Sequence, residues 1–460
     1  MVDKEEWRLV ILGRAGSEVL LVPHEGKYCL PRVEIPKWRR IAESVTSRLQ
    51  ENWNLQAVCL FSVIDRKPTH SDARPRCYQV LVSRSNGSTP SGLRWVTAAL
   101  LCREDLIAPE DFDNLRHALS QIETLSPPGP FAKRNWFEEL LNWIEPHLLP
   151  LDLTLTGSFK QLNASPSFSL IRFETNGPPL WFKAVGEPNL HEFEITTFLA
   201  QRHSRFFPRV IATHPEWHGW LMEEANGVQL NDAVQLEHWQ TAVRALAALQ
   251  KESTGEGGAL VQAGCRDRRI TSLLDLVDPF LEVIAKLMQQ QPKTPPALLT
   301  KENLSDLGAT LRSACAEVKA LGIPETLGHC DFNPSNIIVT IDGCVFLDWA
   351  EACAGFPFAT CEYLLAHLHR DHPERTLWAE AIREAYEDEW KANIPAESLR
   401  EAVRFAPLLA AFIYALNGDA WRNPCRLEEP NLAKHMRSLS RRMYREAQAL
   451  ASLEAPCSSS

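Results

Sequence analysis

Between residues 327 and 349 the chain reads Leu-Gly-His-Cys-Asp-Phe-Asn-Pro-Ser-Asn-Ile-Ile-Val-Thr-Ile-Asp-Gly-Cys-Val-Phe-Leu-Asp-Trp, a polar insert between apolar runs that restricts the fold more than any other stretch. Ile337-Ile338-Val339 and Cys344-Val345-Phe346-Leu347 have the length and composition of two short buried strands, and Asp342-Gly343 between them is a hairpin signal. Asn336 precedes the first strand and Asp348 follows the second, so an antiparallel pairing sets these flanks side by side at the open end. Asp331 lies five residues before Asn336 on the entering loop, with His329 nearby. A carboxylate, an amide oxygen and a second carboxylate are thus predicted to converge. Each alone is an ordinary turn residue; the spaced set is what points to chemistry.

Such a set suits phosphoryl transfer from a metal-bound nucleotide. The moving group carries charge that requires a divalent cation, and Mg2+ takes a few hard oxygens, which Asn336 and Asp348 supply. The attacking hydroxyl needs a carboxylate that is not itself a metal ligand, and Asp331 fills that part. The pattern His-x-Asp-x4-Asn, then strand, turn, strand and Asp, resembles the catalytic loop of the aminoglycoside phosphotransferase and choline kinase-like family, small-molecule kinases distantly similar to protein kinases. A bacterial subgroup reads His-Gly-Asp-x-His-Pro-Gly-Asn and later Asp-Trp and His-Pro-Phe. This chain departs from it at Cys330 and Ser335, which replace glycines, at Asn333, which replaces a histidine, and at Phe356. Asp331, Asn336 and Asp348 are kept, so the departures bear on substrate more than on chemistry. The resemblance implies Asp331 and His329 as catalytic residues, ATP or GTP with Mg2+, and a hydroxyl acceptor.

At 460 residues and 45% apolar content, the chain can bury large cores and is expected to hold two or more domains. A net charge of −10 argues against non-specific nucleic-acid binding. The acidic N-terminus carries no signal-peptide pattern, and no apolar run reaches a membrane span. The twelve cysteines are scattered without metal-ligand spacing, and several sit in apolar strands, which points to a reduced, cytoplasmic setting. The sequence says nothing of oligomeric state.

From the N-terminus, strands are predicted over 7–13 and 19–22, joined by a turn at Arg14-Ala15-Gly16, and then over 58–63, 78–82 and 93–96. A helix is predicted over 38–53, with Ile41, Val45 and Leu49 on one face and Asn54 as its stop. A mixed sheet with one helix after Leu30-Pro31 resembles a Nudix domain. Its metal-binding helix pattern, Arg-Glu-x-x-Glu-Glu-x-Gly, falls on 47–54, where Glu51 survives but Arg48 and Asn52 stand in for carboxylates. One Glu cannot build a multi-Mg2+ site, so residues 1–126 are expected to be a degenerate Nudix-like module or an unrelated small α/β domain, not a hydrolase. Ser126-Pro127-Pro128-Gly129-Pro130 marks the boundary.

A linker helix over 131–149 follows, striped by Trp136, Leu140, Trp143 and Ile144, and strands are predicted over 151–155, 168–173 and 180–185 with a polar loop at 163–167. Lys183 interrupts the third strand, and a Lys there is costly unless paired. The kinase resemblance gives it the nucleotide phosphates and a helical Glu: Glu192 by the Glu-x-x-Leu-Thr-x-x-Leu spacing, with Glu194 as the fallback. It likewise gives the loop at 163–167 the phosphates to cover. Strands at 207–212 and 219–224 come next, and the resemblance makes Met222, Glu223 and Glu224 the adenine-binding hinge. Beyond Asp232 the pattern is helical almost throughout. Glu351 and the run Glu387-Asp388-Glu389 either receive a cationic acceptor or are solvated helix faces.

The expected fold is therefore α+β: a Nudix-like α/β domain, then a bilobal protein-kinase-like domain with a β-rich N-lobe in 127–226, a helical C-lobe in 227–453, and a disordered tail at 454–460. The expected function is an ATP- or GTP-dependent small-molecule phosphotransferase acting on an unidentified hydroxyl acceptor, with no nucleic-acid or membrane partner. The alternative is a pseudokinase that binds nucleotide or scaffolds.

Overall fold

The computed structural model describes residues 3–14, 18–65, 76–84, 89–123 and 128–454; the turn at 15–16, part of the Ser126–Pro130 stretch and the tail from 455 lie outside them. The chain divides into two compact units, Met1–Phe193 with Arg209–Glu224, and Glu194–Pro208 with Ala225–Ser460.

The first unit opens with seven strands: β1 (Lys4–Leu12), β2 (Glu18–His24), β3 (Lys27–Cys29), β4 (Arg32–Pro36), β5 (Ala57–Asp65), β6 (Arg76–Ser83) and β7 (Arg94–Thr97). They form one mixed sheet in the order β3-β2-β1-β6-β5, with β4 on β1, β7 on β2, and β1 parallel to β6. Strand alternation sends β1 side chains to two cores. Trp7, Leu9 and Ile11 pack with Ala42, Val45 and Leu49 of α1 (Ile41–Trp53), whereas Val10 and Leu12 pack with Leu115, Ala118 and Leu119 of α2 (Pro109–Glu123). Helix α1 starts three residues later than the sequence predicts, because β4 runs to Pro36 and Trp38 sits fully exposed at φ 71°. Asn54 stops it in the left-handed conformation. Helix α2, which the sequence reading leaves unassigned, is fastened through Asp111 to Arg8 at 2.5 Å and Tyr78 at 2.9 Å.

After α3 (Trp136–Leu148) comes a five-stranded antiparallel sheet of β8 (Leu155–Ala164), β9 (Ser169–Thr175), β10 (Leu180–Ala184), β11 (Val210–His214) and β12 (Gly219–Glu223), ordered β11-β12-β10-β9-β8. The strand predicted over 151–155 is not there: a 3-10 turn ending at Leu151 and a left-handed Asp152 stand in its place, and β8 begins only at Leu155. The Pro/Gly stretch before α3 does not separate two cores. Val10, Leu115, Phe131, Trp136, Ile144, Ile171 and Phe182 share one. Buried Gln161 of β8 binds the Cys59 peptide of β5 at both ends, accepting from its N–H at 2.8 Å and donating to its C=O at 3.1 Å, beside a register shift in each strand.

Helix α4 (His191–Arg202) contains the point of division between the units. The second unit is mainly helical: α5 (Leu236–Glu252), the short α6 (Gly257–Gln262), α7 (Ile270–Gln289), α8 (Lys301–Ala320), α9 (Phe358–Asp371), α10 (Thr376–Trp390), α11 (Ala396–Ala415), the short α12 (Pro424–Leu427) and α13 (Pro430–Glu454). It carries two three-stranded sheets. One orders β13 (Val228–Gln229), β16 (Ile337–Thr340) and β17 (Gly343–Phe346); in the other, β18 (Ala352–Gly355) lies between β14 (Arg266–Arg268) and β15 (Thr326–His329). Gly227 and Gly355 permit the closest approaches, since a Cβ would stand 2.3 Å from the Val339 carbonyl oxygen and 2.4 Å from that of Arg268. Among the described residues no helix is long and apolar enough to cross a membrane.

Candidate active site

In the first unit, β10 places Lys183 with its backbone between Leu170 and Trp220. Its ammonium forms an ion pair with Glu192 in the first turn of α4, and both side chains are almost wholly buried, at 11% and 3% exposure. The same ammonium lies 5.7 Å from the Trp220 ring centre. Glu194, two residues on and about 200° around the helix from Glu192, is exposed. The residues predicted as a hinge serve the sheet itself. Glu223 donates its N–H to Arg209 O at 3.0 Å and pairs with the Arg209 side chain at 2.8 Å. Glu224 donates to Pro179 O at 2.9 Å, and Arg172 grips its carboxylate at 2.5 and 3.0 Å, holding it below the usual carboxylate range. Met222 is a paired residue of β12 opposite Trp181.

In the second unit, β16 and β17 pair with Ile337 opposite Phe346, and Leu347 N–H donates to Asn336 O at 2.8 Å. Asn336 and Asp348 therefore flank the same hairpin mouth. Asp348 is exposed and left-handed at φ 64°, ψ 68°. The loop from β15 brings Asp331 to this mouth. Asn336 donates its amide N–H to the Asp331 backbone oxygen at 3.0 Å and lies 3.4 Å from its Oδ2. With its amide nitrogen so committed, Asn336 is left with Oδ1 as a ligand atom.

His329 is only 1% exposed, and both ring nitrogens are engaged. Its Nδ1 accepts from the Asp331 N–H at 3.2 Å, and its Nε2 lies 2.9 Å from Leu347 O. Since a carbonyl can only accept, the proton sits on Nε2 and the ring is neutral. One imidazole thereby ties the backbone of Asp331 to the strand end that carries Asp348. Helix α9 supports the loop through one face: Thr360 accepts the His329 N–H at 3.1 Å, and Tyr363, one turn on, has its hydroxyl 3.2 Å from Asp331 Oδ1. Burial, then Tyr414 and Asp331, push the Tyr363 phenol well above its ordinary pKa, so it stays a donor to the carboxylate. The sequence reading misses Tyr363; the available signal is its helical spacing from Thr360.

Of the positions that depart from the resembled motif, Asn333 and Ser335 bond to one another. Asn333 donates to Asp331 Oδ1 at 3.2 Å, accepts from Ser335 N at 3.0 Å, and also contacts the Ser335 hydroxyl. Cys330 turns inward, its Sγ 3.2 Å from that of Cys353, and the bond to Cys353, followed by burial, raises its pKa well above the ordinary thiol value. Phe356 packs on Phe358 at 5.2 Å between ring centres. The acidic residues considered for a cationic acceptor are mostly engaged: Glu351 with Arg266 at 3.0 Å, Glu389 with Lys251 at 2.9 Å, and Asp388 with Lys391.

No group of three or more His, Cys, Asp or Glu among the described residues is arranged to hold a metal. In the N-terminal sheet, Glu51 is exposed and paired with Arg48 at 2.7 Å.

Residues 187–402 match the model of the phosphotransferase enzyme family, APH. The match takes in Glu192 and the whole 327–349 stretch. Lys183 and the N-terminal sheet lie outside it. Among solved structures, the chain is similar to an ethanolamine kinase of Plasmodium vivax at 13% identity and a TM-score of 0.47, over 72% of this chain and 96% of that one. It is similar to a choline/ethanolamine kinase family protein of Mesorhizobium loti at 16% identity and a TM-score of 0.44, over 70% and 95%. A spectinomycin phosphotransferase solved with ADP and spectinomycin matches at 12% identity and a TM-score of 0.40, over 68% and 98%. No curated protein matches the sequence.

Proposed function

We propose that the chain is a small-molecule kinase that transfers the γ-phosphoryl group of ATP or GTP to an alcohol. The observation that carries this reading is the array at one hairpin mouth: an oriented carboxylate, Asp331, beside an amide oxygen and a second carboxylate, Asn336 and Asp348, inside a segment that matches a phosphotransferase family. Asp331 takes the proton of the acceptor hydroxyl as its oxygen attacks the γ-phosphorus. The bond from that phosphorus to the bridging oxygen breaks, and the nucleoside diphosphate leaves. Asn336 and Asp348 would hold Mg2+, which would neutralise charge on the phosphates. Lys183, oriented by Glu192, contacts the phosphates, and Met222 to Glu224 line the adenine side.

His329 acts through others: it fixes the loop and the strand end. The N-terminal sheet is a scaffold for the five-stranded sheet, a role supported by their common core and by Gln161. The test is thermal unfolding with and without Mg-ATP and Mg-GTP, followed by radiolabelled transfer to a library of alcohols. Stabilisation by a Mg-nucleotide and a phosphorylated product are expected. No response to any Mg-nucleotide overturns the kinase reading, and binding without transfer leaves the pseudokinase.

A further inference from the structure

The second unit holds a cavity of about 280 Å³, walled by Tyr363, His367, Arg370, Tyr414, His435 and Arg442 from α9, α11 and α13. That is near the small end of ligand-site volumes, the size for a compact metabolite. Its inner wall is Tyr363, whose hydroxyl touches Asp331 Oδ1, so the cavity lies one side chain from the proposed base. The Tyr363 and Tyr414 rings pack at 4.9 Å, and His367 packs on Tyr363 at 4.8 Å.

Most charges on these walls are closely paired, and Arg442 is the loosely held one. Glu362 is the acidic residue of the lining, and Arg383 neutralises it with two bonds to one oxygen, at 3.0 and 2.8 Å. Arg370 is committed elsewhere: Asp371 takes its Nε and its Nη2, each at 2.8 Å, and the same Nη2 donates to His367 Nδ1 at 2.6 Å. Arg442 meets Glu446 only at 4.0 Å, which leaves most of its donors for a ligand. The imidazoles of His367 and His435 add ring nitrogens. A cationic ligand would face the loosely paired Arg442 guanidinium here, with no uncommitted carboxylate in the lining to meet it. An anion would gain charge-assisted hydrogen bonds from Arg442, and sugar-like or chain carbons would rest on the tyrosines.

We propose that this cavity receives one end of the acceptor, and that the acceptor is a small hydroxyl compound bearing at that end an anionic group, a carboxylate or a phosphate, bound by Arg442. The inference rests on the kinase reading above and assigns the substrate class of that site. Arg442 is the specificity residue, and the hydroxyl end of the acceptor reaches past Tyr363 to the base.

The experiment supplies γ-labelled ATP with Mg2+ to the full chain and three matched sets of alcohols. The anionic set is glycerate, gluconate and glycerol 3-phosphate; the neutral set is glycerol and glucose; the cationic set is choline and glucosamine. Transfer to anionic members is expected, and the separate carboxylate and phosphate probes tell the two sources apart. Arg442→Gln should raise the acceptor KM about tenfold or more with kcat largely held, Arg442→Lys should recover part of it, and Arg442→Glu should shift preference toward the cationic set. Mg-ATP stabilisation, measured on every variant, should be unchanged and reports that each is folded. Transfer confined to neutral or cationic alcohols overturns the proposal. So does Mg-ATP binding with no transfer to any set, which leaves the nucleotide site standing. Failure to bind any Mg-nucleotide overturns the kinase reading itself and takes this one with it.

Discussion

Lys183 and Asp331 are both fixed by neighbours, but in opposite settings. Lys183 is sealed inside the first unit against Glu192 and the Trp220 ring, with both charged side chains nearly inaccessible. Asp331 stands at a half-open hairpin mouth in the second unit, held by neutral donors, Asn333, Asn336 and Tyr363, with exposed Asp348 beyond. A buried charge must be paired at all times, so its partner contributes to folding whether or not a ligand is present. A carboxylate held by neutral donors keeps its charge available for a proton or a cation. Substitutions in the first setting should therefore cost stability, and those in the second should cost reaction while the fold persists.

The largest expected effect is at Asp348. Asp348→Gly keeps the left-handed backbone at no steric cost, yet removes the carboxylate assigned to Mg2+. Transfer should fall below detection and nucleotide affinity should lose its Mg2+ dependence, with a melting temperature close to that of the parent. Titration calorimetry of ATP with and without Mg2+ checks this; an unchanged Mg2+ dependence would remove Asp348 from the metal site. Asp331→Asn should slow transfer by about 10²–10⁴, the usual contribution of a general base, with Mg-ATP affinity little altered. Equal loss of Mg-ATP binding in both variants would mean that the two roles are wrongly divided.

Glu192→Gln tests the sealed setting. Leaving the Lys183 ammonium buried without its carboxylate should cost about 3–5 kcal/mol in chemical unfolding, before any nucleotide is added. A cost under about 1 kcal/mol would show that the pair is solvated and that the contrast drawn here is false. Tyr363→Phe should do less. One neutral donor to Asp331 is lost, at about 1 kcal/mol, so kcat should fall about tenfold or less with Mg-ATP binding intact. A fall matching Asp331→Asn would make Tyr363 part of the proton path.

The hairpin and most helices of the second unit were legible because their signals are local: two short apolar runs around Asp342-Gly343, and apolar stripes at helical period. Even there the turn shifts by one residue, since Thr340 pairs with Gly343 and exposed Ile341 with Asp342 forms the loop. What local pattern could not supply is pairing at a distance. The β14-β18-β15 sheet joins residues near 267, 327 and 354, and Tyr363 meets Asp331 across 32 residues. Strand β8 hid for a different reason. Its inward position is the polar Gln161, whose partner is a peptide of β5, so an apolar alternation is missing where the strand is. Helix α2 did carry its signals, Pro109 at the first position followed by Glu110 and Asp111, and these suffice to place it.

The smallest expected effect comes from the N-terminal sheet, where a carboxylate at a resembled metal position is neither sealed nor arrayed. Glu51 and Arg48 lie three residues apart on the outer face of α1, with side chains 58% and 48% exposed. Solvent screens such a pair, and the ordering of two long side chains offsets much of what remains, so exposed pairs contribute roughly 0–1 kcal/mol. Glu51→Gln should therefore change unfolding free energy by less than about 0.5 kcal/mol. It should leave Mg-ATP stabilisation and transfer untouched, because Glu51 contacts nothing in the array. The parent chain should also hydrolyse no nucleoside diphosphate derivative with Mg2+ or Mn2+. A lone carboxylate gives one anionic ligand where a multi-metal site needs several, and Arg48 places a cation beside it. Metal-dependent hydrolysis that Glu51→Gln abolishes would put a working site on α1 and would end the reading of this sheet as a scaffold.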